Sequence, residues 1–175
     1  MLEERVAWDY PQTRGAWSSY RSGAGRIFGA GLVCVAVVIA GSYLILARAD
    51  GLRDQGVAEP APIPGAGTAL VLLTFLGMGL VPIGAGALLR ARRWGAALQR
   101  EPWTAARLRV QGANLLFQPS LDEPVPARLL STNRWRVKTV LALDGLEVWL
   151  APVGPREVVF IADGTETVYG ARRMG

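Results

Sequence analysis

The stretch Ile27–Ala47, IFGAGLVCVAVVIAGSYLILA, runs for 21 residues without a charge and is closed by Arg26 and Arg48. At about 1.5 Å of rise per residue, a helix of that length covers the roughly 30 Å hydrocarbon layer of a bilayer. It predicts a transmembrane helix. A second uncharged run, Gly67–Leu89, covers 23 residues, carries Pro82 in its second half and ends against Arg90, Arg92 and Arg93. Proline kinks a span without excluding it. The two runs together predict a membrane α-helical hairpin. The triplet Ala47-Arg48-Ala49 has the form of a signal cleavage site. Against cleavage, 26 residues precede the run, and its apolar length exceeds the roughly 7–15 residues of a signal core. An uncleaved span is expected.

Composition agrees and removes several classes of chemistry. Of 175 residues, 51% are hydrophobic and 19% charged, and the mean hydropathy is positive, unlike an average soluble domain or a disordered tail. There is no histidine. That absence removes the commonest general base, the Ser-His and Cys-His pairs and most catalytic zinc sites. The single cysteine, Cys34, lies inside the first run, so neither an internal disulfide nor a cysteine metal cluster is available. The basic residues are 18 Arg and one Lys in an Ala- and Gly-rich chain, a bias read as the imprint of a GC-rich bacterial genome. No catalytic, cofactor-binding or metal residues are assigned, and the chain reads as non-enzymatic.

Arginines close to the spans set the orientation, since acidic residues contribute little to that rule. Residues 1–26 carry Arg5, Arg14, Arg21 and Arg26, residues 48–66 carry Arg48 and Arg53, and residues 90–102 carry Arg90, Arg92, Arg93 and Arg100. Both termini are therefore expected in the cytoplasm of a multi-pass protein of the bacterial inner membrane. The connection 48–66, with Pro60, Pro62 and Pro64, reads as a short external loop. The first 26 residues hold Trp8, Tyr10, Trp17 and Tyr20, a mixture suited to the inner headgroup layer. Residues 90–102 read as a basic juxtamembrane helix stopped by Pro102.

Neither span carries a charged or strongly polar group, which a pump or transporter ordinarily places there. Of the polar residues, Ser42 and Thr74 are expected to bond back to their own helices. Small residues stand out instead: Gly25, Gly29, Ala36 and Ala40 at spacings of four, and the pairs Gly77/Gly84 and Gly79/Gly86 at seven. Such spacing lets helix backbones approach closely. It serves packing of the two spans on each other, self-association, or docking on a larger membrane protein. Gly23-Ala-Gly25 does not complete a dinucleotide fingerprint, because Phe28 stands at the sixth place.

From Trp103 the pattern changes to alternation at period two with frequent turn residues, which predicts a small antiparallel all-β domain over 103–175, a barrel or a strongly bent sheet. Strands are expected at 104–110, 114–118, 127–131, 134–143, 146–151, 157–162 and 165–169. Glu157–Ala162 is nearly all apolar and should be central. Asp144-Gly145 reads as a two-residue hairpin turn and Asp163-Gly164 as a second tight turn. On the long strand, Arg134, Arg136 and Lys138 would share the face opposite Trp135, with Arg107 and Arg109 joining them if the strands are neighbours. Such a stripe is either the solvated face of a strand or a surface for an anionic partner. With nine basic against seven acidic residues the domain is only +2, so nucleic acid is not expected. Asp122-Glu123 sits in a Pro-bounded loop and reads as turn chemistry.

The segments Val148-Trp149-Leu150-Ala151, Gly154-Pro155-Arg156 and Val158-Val159-Phe160, with the closing Tyr169-Gly170-Ala171-Arg172-Arg173, resemble the tails of small, uncharacterised two-span membrane proteins of actinobacteria with a C-terminal β domain. That resemblance implies no activity. Two spans followed by a cytoplasmic β domain also resemble bacterial membrane-bound pleckstrin-homology-like proteins. Those close with an amphipathic helix, whereas this chain closes with a strand and a short basic tail.

These readings converge on a protein that acts by binding, with no cofactor. One expectation is an accessory subunit or scaffold of a larger membrane complex, meeting integral-membrane or cytoplasmic protein partners or a second copy of itself. The other is a sensor of anionic lipid, using Arg90, Arg92, Arg93 and Trp94 beside the second span and the stripe Arg134, Arg136 and Lys138.

Overall fold

A computed structural model describes residues 6–55, 63–112, 114–119, 123–130 and 134–174, with the backbone alone for 134–136. The chain forms two compact units, one of Met1–Arg21 with Leu89–Gly175 and the other of Ser22–Leu88. Pro60 and Pro62 of the connection, and Asp122, lie outside the described residues.

Two helices, α1 (Pro11–Asp54) and α2 (Ala66–Leu98), contain the apolar runs, and both are long and apolar enough to cross a membrane. Within Ser22–Leu88 they meet along a seam of glycines. A Cβ added to Gly84 would stand 2.6 Å from the Phe28 backbone, and one added to Gly31 would stand 2.8 Å from the Val81 nitrogen. The helix axes can come this close only because those positions lack side chains. Away from the seam the large apolar residues point outward, among them Val33, Ile39, Leu44, Leu72, Phe75 and Met78. Thr74 donates its hydroxyl to the Leu70 carbonyl at 2.7 Å, the back-bond expected of a hydroxyl in a span.

The other unit is built on six strands: β1 (Thr104–Gln111), β2 (Asn114–Pro119), β3 (Val125–Leu129), β4 (Glu147–Pro152), β5 (Glu157–Ala162) and β6 (Tyr169–Arg173). They close into a barrel in the order β1-β2-β3-β6-β5-β4, and every neighbouring pair is antiparallel. Among the described residues, closure leaves no sheet edge to pair with another chain. Alternate residues point inward, so Leu108, Phe117, Val148, Val158 and Phe160 fill the interior. Phe160 meets Phe117 edge-on at 5.2 Å and stacks on Tyr169 at 5.4 Å. Each such fully buried side chain contributes about 1.5–3 kcal/mol.

A second core covers the outside of β4 and β5. Ala7, Ala16 and Tyr20 from the N-terminal segment and Ala91, Trp94 and Leu98 from the end of α2 pack with Trp103 on Ala151, Val159 and Ile161. This explains the apolar run of β5. Val158, Phe160 and Ala162 face the interior, while Val159 and Ile161 face the helices. Residues 11–21 are the opening turns of α1 and take part in this core.

The expected strand at 134–143 is instead a helix, α3 (Arg134–Leu141). Alternation would place Leu141 inside, yet Leu141 is 45% exposed and Val140 only 1%. The spacing that decides is three: Val140 and Leu143 lie on one helical face and join the barrel interior. Asp144-Gly145 is correspondingly not a hairpin turn. Gly145, at φ +79°, lies in the turn between α3 and β4, and the Asp144 carboxylate accepts the Val110 N–H at 2.7 Å. The last strand begins at Tyr169 instead of Thr165. The Asp163-Gly164 turn is present, with the Thr165 N–H donating to the Ala162 carbonyl at 3.1 Å.

Candidate functional site

The charged residues beside the second apolar run are carried on the last turns of α2, which continues to Leu98. Arg92 and Arg93 are exposed and Arg90 is half-buried. Arg93 Nη2 stands 3.6 Å from Glu157 Oε2 at the start of β5. That separation is an ion pair too long for a hydrogen bond, and Oε2 is buried with no hydrogen-bond partner.

Glu157 begins a row that the strand register builds across the outer wall. Opposite it on β6 is Arg172, opposite Arg172 on β3 is Arg128, and opposite Arg128 on β2 is Asn114. Their chain neighbours Val158, Ala171, Ala127 and Leu115 are all buried inside, so alternation directs the row outward. Arg128 and Arg172 are exposed. Two like charges directly opposite on neighbouring strands repel. Sequence reading missed this pair because its members are 44 positions apart and only the β3–β6 register joins them.

The other predicted residues fall differently. Trp94, read as an anchor in the headgroup layer, is 2% exposed. It packs on Tyr20 at 4.8 Å between ring centres and lies against Gly170. The expected strand stripe of Arg134, Arg136 and Lys138 becomes positions on α3, where 134 and 136 are about 200° apart and 134 and 138 about 40°. Lys138 is exposed, and the side chains of Arg134 and Arg136 lie outside the described residues. Arg107 and Arg109 point outward from β1. Arg107 borders an open groove of about 370 Å³ with Ala105, Ala106, Gln118, Gly145 and Glu147. Its Nε donates to the Gly145 carbonyl at 3.0 Å and Glu147 is its partner across β4, so the groove mixes both charges.

Of the small residues, Gly77 and Gly84 lie in the hairpin seam with Gly31 and Gly41. A Cβ added at Gly25, Gly29, Gly79 or Gly86 would meet nothing within 4 Å, and Ala36 and Ala40 are exposed. Among the described residues no group of three or more His, Cys, Asp or Glu could hold a metal ion. No protein-family model, curated protein or solved structure matches the chain.

Proposed function

We propose that this is a non-enzymatic, multi-pass protein of the bacterial inner membrane, with both termini cytoplasmic, that acts as an accessory subunit or scaffold by holding its barrel at the membrane surface. The observation that carries the reading is the aromatic core in which Tyr20, Trp94 and Trp103 fasten the first turns of α1 and the last turns of α2 to β4 and β5. Insertion is supported by the outward apolar residues: only 6% and 11% of the most apolar windows of α1 and α2 are buried, unlike the core helix of a soluble protein. The same uncovered faces suit contact with lipid and with an integral-membrane partner or a second copy.

The test is purification of the tagged chain from its own membranes in mild detergent, with mass spectrometry of what accompanies it in fixed ratio. A stoichiometric membrane partner is expected, and a chain that emerges alone or only with itself overturns the subunit reading. Reporter fusions at Gly175 check orientation: activity confined to a periplasmic reporter overturns it.

A further inference from the structure

We propose that the outer wall of β3 and β6 is a docking site for the phosphate headgroups of anionic phospholipid, with Arg128 and Arg172 as the binding pair. The inference rests on the membrane reading above and gives the anionic-lipid alternative a specific site.

Three observations carry it. Arg128 and Arg172 are exposed cross-strand partners on the outer wall, and no ion pair joins either to a carboxylate among the described residues. An anion between them relieves their repulsion, and two planar guanidinium forks match the oxygens of a phosphate. The carboxylate next in the row, Glu157, has a side chain only 21% exposed and is engaged by Arg93. Finally, Arg93 pairs with Glu157, and Arg172 and Arg128 follow at successive strand spacings of about 4.8 Å. The row from Arg93 to Arg128 carries three arginines and one carboxylate, so it is net basic, and an anionic phospholipid complements that charge.

The experiment titrates the detergent-solubilised full chain with short-chain phosphatidylglycerol, short-chain phosphatidylcholine and glycerol phosphate, reading binding by native mass spectrometry. Wild type is expected to prefer phosphatidylglycerol. Affinity should fall about fivefold in Arg128→Gln or Arg172→Gln and about thirtyfold in the double variant. Arg107→Gln with Arg109→Gln removes the same charge from β1 and should keep wild-type affinity. The proposal is overturned by equal binding of both lipids, or by an equal loss in the β1 variant, which would mean diffuse attraction. Glycerol phosphate binding as tightly as phosphatidylglycerol would assign the pair to a soluble phosphate instead. Unfolding midpoints confirm that each variant is folded, and either single substitution suffices if the double is not. Carbonate extraction separates the two levels: a chain released from membranes overturns the membrane reading itself, whereas a chain retained without lipid preference overturns only the site.

Discussion

The indole Nε1 of Trp103 donates a hydrogen bond of 3.0 Å to Oγ1 of Thr13 across 90 positions of sequence, with both residues buried. Trp103 stands immediately before β1, and Thr13 lies in the first turn of α1. A second indole repeats the pattern: Trp17 Nε1 donates to the Ala91 carbonyl of α2 at 2.9 Å. Apolar packing alone would let the helix ends slide over the barrel wall. Directional bonds inside a dry contact fix their register, since a misplaced donor would be left unsatisfied.

Thr13→Val keeps the shape of the side chain and removes the acceptor, leaving the Trp103 N–H buried without a partner. The expected loss is about 1–3 kcal/mol of stability, with Thr13→Ser close to wild type. Thermal unfolding of the detergent-solubilised chain, followed by tryptophan fluorescence, measures both. A Val variant as stable as wild type would show that the bond does not hold the helix ends.

The hairpin seam separates two glycines that look alike in sequence. Gly84→Ala drives a Cβ into the Phe28 backbone, which cannot yield as a flexible side chain would, and should cost about 1–3 kcal/mol. Gly79→Ala meets nothing within 4 Å and should be neutral or stabilising by up to about 1 kcal/mol through helix propensity. Denaturation of the full chain in mixed micelles ranks the two. Equal effects would mean that the glycines act through propensity alone.

The hairpin and the β domain were legible because each rests on a local pattern: unbroken apolar runs in one case, period-two alternation with turn residues in the other. Glu157–Ala162 was recognised as central from its apolar content alone. The segment 134–143 was misread because its alternation of basic and apolar residues satisfies both periods over a short window. Only the barrel, closed by six strands without it, settles the matter in favour of Val140 and Leu143. Trp94 reads from sequence as an interfacial residue because composition cannot tell an aromatic that faces headgroups from one that faces a glycine in a distant strand. The Arg128–Arg172 pair was hidden for the same reason, since pairing of β3 with β6 is a property of closure.

Gly145 marks where helix replaces hairpin. Its φ of +79° lies where a Cβ costs about 1–2 kcal/mol, and its N–H donates to the Leu108 carbonyl at 2.7 Å. Gly145→Ala should lower barrel stability by that amount and Gly145→Asn by less, since asparagine tolerates the left-handed region better. Urea unfolding of the full chain in detergent, followed by tryptophan fluorescence, gives both values. An Ala variant at wild-type stability would contradict the backbone described for the turn.

Gly170 and Trp94 form the last coupled pair. A Cβ on Gly170 would run into the Trp94 ring, and that ring is pinned from elsewhere by Tyr20, so it cannot swing aside. Gly170→Ala should therefore cost about 1–3 kcal/mol through overpacking. Trp94→Phe should also destabilise when introduced alone, by leaving a void where the indole was. Combined, the smaller ring makes room for the new methyl, and the double variant should be more stable than the sum of the single losses by about 0.5–3 kcal/mol. The cycle is read from unfolding midpoints of the four chains under one detergent condition. Strict additivity would mean that Trp94 does not rest on β6, and the docking of the α2 end on the barrel would have to be redrawn.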